Sequence, residues 1–309
     1  MKVGSDDAFL SLKEIAPEAC SSMNDFSKEI LRTRGGRIGS GMGGLLEALW
    51  GYMANKLLRD RGIGCELSWL PGHRYGDFIC VERDSAHRPL DSDSELLRIE
   101  VKTMNFGADE SKAHFDVLRK ELDPDDALLV VVWTWKQMDE VHFSPFVVDL
   151  FFNRSAPIAE LRDSLHVVRG GSFIMGGGCP DGCEAGCLHI GEPLNAAGKR
   201  ERMTGPSAAR VSEKVSYSAN FGGMVRMLRT DGPAARRVLR DIRRSDPVAD
   251  EYISFIHRNY PAVEKNHFSL KEWKEVAEGY GIGCEGGKGA VQEMVRRMPD
   301  YMDRMRTMA

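Results

Sequence analysis

No apolar run in the chain approaches the ~18 to 20 residues needed to span a bilayer, so no membrane anchor is expected. The start, MKVGSDDAFL, has no basic segment followed by an apolar one, which argues against a secretory signal and for a cytoplasmic protein. Cysteine is sparse, and its seven copies are an odd number. Without a signal, that count favours reduced thiols or metal ligands over a disulfide framework. Low-complexity segments and internal repeats are missing as well. What is there is ordinary globular material, 42% hydrophobic and 28% charged, and 309 residues suffice for about two domains of ~150 each.

The net charge of -4 conceals a polarity along the chain. Residues 196–309 hold 21 Lys/Arg against 15 Asp/Glu, a balance of +6, whereas residues 1–195 hold 21 against 31, a balance of -10. An acidic half can cluster carboxylates around a metal and a basic half can neutralise phosphates, a combination that points toward nucleic acid.

Periodicity predicts an α/β organisation. Residues 1–35 read as an N-terminal helical segment ending in the glycine-rich loop Gly35–Gly44. Leu45, Leu46, Leu49, Tyr52, Met53, Leu57 and Leu58 then recur at helical spacing up to a Gly62 stop. Short runs at Cys65–Leu70, Asp77–Val81 and Leu96–Thr103 read as strands, Asp109–Glu121 as a helix, Ala127–Trp135 as a buried central strand, Ser144–Phe152 as a strand and Ile158–His166 as a helix. The expected architecture is a mixed central sheet flanked by helices over residues 36–170. A Gly/Cys-rich loop at 171–195 and a mainly helical, basic C-terminal domain at 196–309 complete the division.

The most informative pattern is Arg-Tyr-Gly-Asp77-Phe-Ile-Cys-Val followed, 23 positions after Asp77, by Glu100-Val101-Lys102. Alternation on a strand turns Leu97, Ile99 and Val101 to the core and sets Arg98, Glu100 and Lys102 together on the other face. If Asp77 opens the neighbouring strand, its carboxylate meets Glu100 at one end of the sheet. Two close carboxylates call for a cation, and oxygen donors suit Mg²⁺. Lys102 beside it would orient, or help deprotonate, an attacking water.

This arrangement resembles the PD-(D/E)XK nuclease superfamily, whose acidic residue on the second core strand and Glu-x-Lys on the third correspond to Asp77, Glu100 and Lys102. The resemblance covers about residues 40–165 and departs at Gly76, where the family often has Pro. It implies a restriction-endonuclease-like core, Mg²⁺ held by Asp77, Glu100 and the main-chain carbonyl of Val101, and a supporting role for Glu47 on the preceding helix. The implied activity is sequence-specific cleavage of double-stranded DNA, open to dependence on base modification, by a homodimer whose two centres cut the two strands. A structure-directed repair or junction nuclease would share the same centre. The rival outside the enzyme class is a noncatalytic zinc-containing DNA-binding protein with Glu100 and Lys102 as surface residues.

Other features are less specific. Gly39-Ser-Gly41-Met-Gly-Gly44 formally matches a dinucleotide-binding glycine pattern, but no apolar strand precedes it and no Lys-Ser or Lys-Thr follows. It reads as a hinge, with Arg32, Arg34 and Arg37 available to phosphate. Cys179, Cys183, Cys187 and His189 supply four soft ligands within eleven residues, a candidate structural Zn²⁺ site, with Cys284 as an alternative fourth ligand. Neither HExxH nor HxE with CxxC accompanies them. Arg226, Arg229, Arg236, Arg237, Arg240, Arg243 and Arg244 fall within nineteen residues, and the last five suit a helix face that contacts DNA. Trp273–Ile282 with Gly289–Met298 loosely resembles a helix-turn-helix.

Overall fold

A computed structural model describes residues 3–34, 41–70, 75–85, 95–106, 113–173, 193–194, 221–228 and 233–260. Helix α1 (Ser5–Ile30) and helix α2 (Met42–Asp60) lead into strands β1 (Cys65–Trp69), β2 (Phe78–Glu82) and β3 (Glu95–Asn105). Strands β4 (Ala127–Gln137) and β5 (Phe143–Arg154) follow, then α3 (Ala156–Val168), the short pair β6 (Ser172–Phe173) and β7 (Pro193–Leu194), α4 (Pro233–Ser245) and α5 (Pro247–Asn259).

Five strands form one mixed sheet in the order β1-β2-β3-β4-β5. The first three make an antiparallel meander, β4 runs parallel to β3, and β5 returns antiparallel. A parallel step demands a long crossover, and residues 106–126 supply it.

Strand β4 shows why the sheet lies in the middle. Leu129, Val131 and Trp133 face one hydrophobic cluster with α1 and α2, while Leu128, Val130 and Val132 face another with α3, α4 and α5. A strand apolar on both faces requires cover on both faces. The result is three layers, helix pair, sheet and helix triplet, and residues 221–228 with α4 and α5 share the second cluster with β4 and β5. Mixed α/β structure is thus as expected from the periodicity.

An asparagine caps one residue on each outer strand of the sheet. Asn55 of α2 donates to the Leu67 carbonyl at 2.8 Å and accepts from its N–H at 2.7 Å. Asn24 of α1 does the same for Val147 on β5, at 3.0 and 2.6 Å. Satisfied edge amides do not template pairing with another chain.

One element departs from expectation. The helix anticipated over Asp109–Glu121 is not formed in its described part: residues 113–118 carry no helix, with His114 in an isolated bridge to Gly223, and only Arg119–Glu121 makes a single 3-10 turn. The reason is nonlocal. Phe115 N–H donates to the Gly222 carbonyl at 2.6 Å and Met224 N–H to the Ala113 carbonyl at 3.1 Å, while buried Arg162 grips the Phe115 and Val117 carbonyls at 2.8 and 2.7 Å. These bonds take the backbone groups that a helix would have used.

No helix among the described residues is long and apolar enough to cross a membrane. Cys20, Cys65 and Cys80 are buried free thiols.

Candidate active site

The site lies where β2 begins. Asp77 N–H donates to the Ile99 carbonyl at 2.8 Å, the last rung between the two strands, and β3 continues to Asn105 with β4 on its other side. The Val101 N–H therefore points to the vacated edge, where the Asp77 carboxylate accepts it at 2.7 Å. In a strand the carbonyl leaves on the same side as the N–H of its residue, so Val101 presents an oxygen to this notch too.

Alternation along β3 follows the expected pattern. Leu97, Ile99 and Val101 are buried in the α1/α2 cluster, and Arg98, Glu100 and Lys102 are half-buried on the opposite face. The Lys102 ammonium contacts Glu100 Oε1, and Glu100 Oε2 accepts the Gly76 N–H at 3.0 Å. With side-chain exposures of 23% and 17%, Lys102 and Glu100 are shielded yet still open to solvent.

Helix α2 brings Glu47 to the same place. Gly43, Glu47, Gly51 and Asn55 recur at four-residue spacing and so share one stripe. A Cβ on Gly43 would lie 2.6 Å from Thr103 Oγ1, and one on Gly51 would lie 2.6 Å from the Phe78 ring. The two glycines let the helix settle closely over β3 and β2, and Glu47 sits between them.

The electrostatics confirm the crowding of negative charge. Burial, then Asp77, pushes the Glu47 carboxyl up to about 7, with Lys102 opposing and Glu100 adding to the rise. Burial and Glu100 likewise raise the Asp77 carboxyl above its ordinary value, against the Val101 N–H and Lys102. For Lys102, burial works to lower the pKa, but Glu100, then Asp77 and Asp116, outweigh it and hold the ammonium above its ordinary value. The carboxylates around Lys102 thus favour its charged form.

Anchoring of the Gly76–Asp77 turn comes from Tyr75. Its hydroxyl donates to the Ala127 carbonyl at 3.0 Å and contacts Ser155 Oγ. Arg98 stacks over the Tyr75 ring at 5.5 Å while its guanidinium clasps buried Asp126 at 2.8 and 2.6 Å. None of these supports was anticipated. The signal available in sequence was the stripe of Gly43, Glu47 and Gly51; the Tyr75 role depends on strands distant in sequence.

Asp77, Glu100, Val101, Lys102 and Glu47 are thus brought together. Among the described residues no three His, Cys, Asp or Glu side chains are grouped closely enough to hold a metal by themselves. The donor set on offer is two carboxylates and one carbonyl, all hard oxygen. It fits Mg²⁺, which keeps several waters and takes only one or two carboxylates. Cys179, Cys183, Cys187, His189, Cys284, Arg37, Arg229 and the Trp273–Met298 segment lie outside the described residues.

Of the arginines, Arg236, Arg237, Arg240, Arg243 and Arg244 are exposed on α4, whose Ala235 and Leu239 face the core. Arg243 donates to Asp250 at 2.6 Å and to Ser254 at 3.3 Å, so it is engaged by α5. Arg32 pairs with Asp139.

No family model matches the sequence, and no curated protein or solved structure is significantly similar to it. The residues and their geometry carry the functional reading.

Proposed function

We propose that the protein is a Mg²⁺-dependent, restriction-type endonuclease of double-stranded DNA with a restriction-endonuclease-like core. The observation that supports it is the placement of Asp77 at the opening of β2 and Glu100 and Lys102 on one face of β3, with the Val101 edge between them facing the same notch. Topology agrees with that reading: a β1–β3 meander and a crossover to parallel β4 put the motif in the middle of the sheet.

Asp77, Glu100 and the Val101 carbonyl would hold the cation, which when bound supplies charge stabilisation at the phosphate and a more acidic water. The protonated Lys102 would steer the scissile phosphate and the nucleophile and offset charge growing in the transition state. Glu47, whose carboxyl burial and Asp77 push up to about 7, would support the site from α2. Arg237, Arg240 and Arg244 on α4 would contact phosphates, and a homodimer would place one centre on each strand.

One observation favours a second reading. Both Glu100 oxygens are already engaged, one by Lys102 and one by the Gly76 N–H, as in a structural ion pair of a noncatalytic DNA-binding protein. Incubating the whole protein with supercoiled plasmid separates the two. The nuclease reading expects nicked or linear product with Mg²⁺ and none with EDTA; intact plasmid with Mg²⁺ and with Mn²⁺ would support the noncatalytic one.

A further inference from the structure

We propose that Tyr75 is a positioning residue of this site, which acts through the Gly76 N–H to fix the direction of the Glu100 carboxylate. The inference rests on the metal-nuclease reading above. Glu100 is held by two groups, the Lys102 ammonium on a flexible stem and the Gly76 N–H on the backbone, at 3.0 Å. Only the backbone donor has a fixed place, so the carboxylate points where Gly76 puts its N–H. Glycine has wide conformational freedom, and Gly76 stands at φ +102°, so that place is set by its neighbours and not by its own preference.

Tyr75 supplies the fixing through a closed ring of contacts. Its hydroxyl donates to the Ala127 carbonyl at 3.0 Å and contacts Ser155 Oγ. Ser155 opens α3 without a side-chain capping bond, so its hydroxyl serves Tyr75, while its N–H donates to the Asp126 carbonyl at 2.9 Å. The Asp126 carboxylate, in a residue 1% exposed, takes the Arg98 guanidinium at 2.8 and 2.6 Å, and that guanidinium lies over the Tyr75 ring at 5.5 Å. The ring closes on the residue it started from. It joins the residue before Gly76, the β3 position two before Glu100, the residue before β4 and the residue after β5, and so bridges β3 from the β2 side to the β4 side. A tyrosine side chain has two rotatable torsions, and one anchored at its far end leaves its own backbone little room to shift. Arg98 closes the other side of the turn, since a Cβ on Gly76 would lie 3.2 Å from Arg98 Cβ.

The test uses the full chain and Mn²⁺ alone, with binding measured by calorimetry well below the thermal midpoint of each protein. The variants are Tyr75→Phe, Ser155→Ala, the two combined, and Asn24→Ala, which removes a paired contact at the distant β5 edge. Tyr75→Phe is expected to weaken Mn²⁺ binding by about tenfold, the lower end of what loss of a group behind a metal ligand costs. Ser155→Ala, which keeps the Ala127 bond, should lose about threefold, and the double variant should bind no worse than Tyr75→Phe within about twofold, because both changes remove one contact. Asn24→Ala should lower the thermal midpoint and leave Mn²⁺ affinity unchanged, which separates positioning from stability. Wild-type affinity in folded Tyr75→Phe and Ser155→Ala, additive losses in the double variant, or an equal loss in Asn24→Ala overturns the inference. Absence of Mn²⁺ binding by wild type would instead overturn the metal-nuclease reading beneath it.

Discussion

The Gly76 N–H donates to Glu100 Oε2 at 3.0 Å, and Gly76 makes that bond from a backbone φ of +102°. The residue preceding the key aspartate thus orients the carboxylate on the neighbouring strand. Proline, common at this point in the family the motif resembles, can neither adopt that φ nor donate. Gly76→Ala is expected to lose about 1–3 kcal/mol through backbone strain. Gly76→Pro is expected to lose more, since a hydrogen bond to a charged group worth about 1.5–3 kcal/mol goes as well. Thermal denaturation of both variants checks the order, and an equal effect would deny the N–H its role.

Glu47 gives the site a pH signature. Its folded pKa of about 7 lies above the ordinary 4.5, so the protonated form is favoured by folding. That contribution is complete below about pH 4.5 and is lost as the pH rises through 7. Glu47→Gln keeps a neutral side chain and should be more stable than wild type above pH 7 by about 1–2 kcal/mol, a figure reduced from 1.36 kcal/mol per pKa unit because solvent screens the group. Denaturant titrations in EDTA at pH 4.5 and pH 8 should show the difference only at the higher pH.

The two glycines on α2 should answer differently to alanine. At Gly51 the new methyl meets the ring of Phe78, which is buried and packed against Trp50 and Trp69. Overpacking there should cost about 1–3 kcal/mol, exceeding the gain of about 1 kcal/mol in helix propensity. At Gly43 the obstacle is the Thr103 hydroxyl, the end of a side chain that can rotate. Gly43→Ala should therefore be close to neutral in stability, and urea midpoints of the two variants measure the contrast.

For α4 the expectation is graded by existing partners. Arg240→Ala and Arg244→Ala should weaken DNA binding and make the slope of log K against log salt less negative by about 0.9 per lost phosphate contact. Arg243→Ala should change it less, since Asp250 and Ser254 already hold that guanidinium. Binding isotherms at several salt concentrations would show the order, and a uniform effect would count against a phosphate-contacting face.

Much of this was legible in sequence because it is local. Alternation on β3 placed Leu97, Ile99 and Val101 opposite Glu100 and Lys102, and the apolar run at Ala127–Trp135 marked a strand covered on both faces. What escaped was set by partners far along the chain. The apolar spacing of Phe115, Leu118 and Leu122 suits a helix, yet Arg162 and the Gly222–Met224 segment hold the backbone groups of residues 113–117 that a helix would use. Tyr75 likewise gave no sign that its hydroxyl would reach Ala127 and Ser155 across the sheet.

Asp77, Glu100 and Lys102 are proposed to cut DNA together with Mg²⁺. That proposal is tested most directly by incubating wild type, Lys102→Ala and Asp77→Ala with Mg²⁺ and two matched DNA pools, one unmodified and one methylated at cytosine and adenine. Discrete fragments are expected from wild type alone, in at least one pool, with both variants folded and still binding DNA. Intact DNA in both pools with folded, DNA-binding wild type, or cleavage that survives Lys102→Ala, would contradict it.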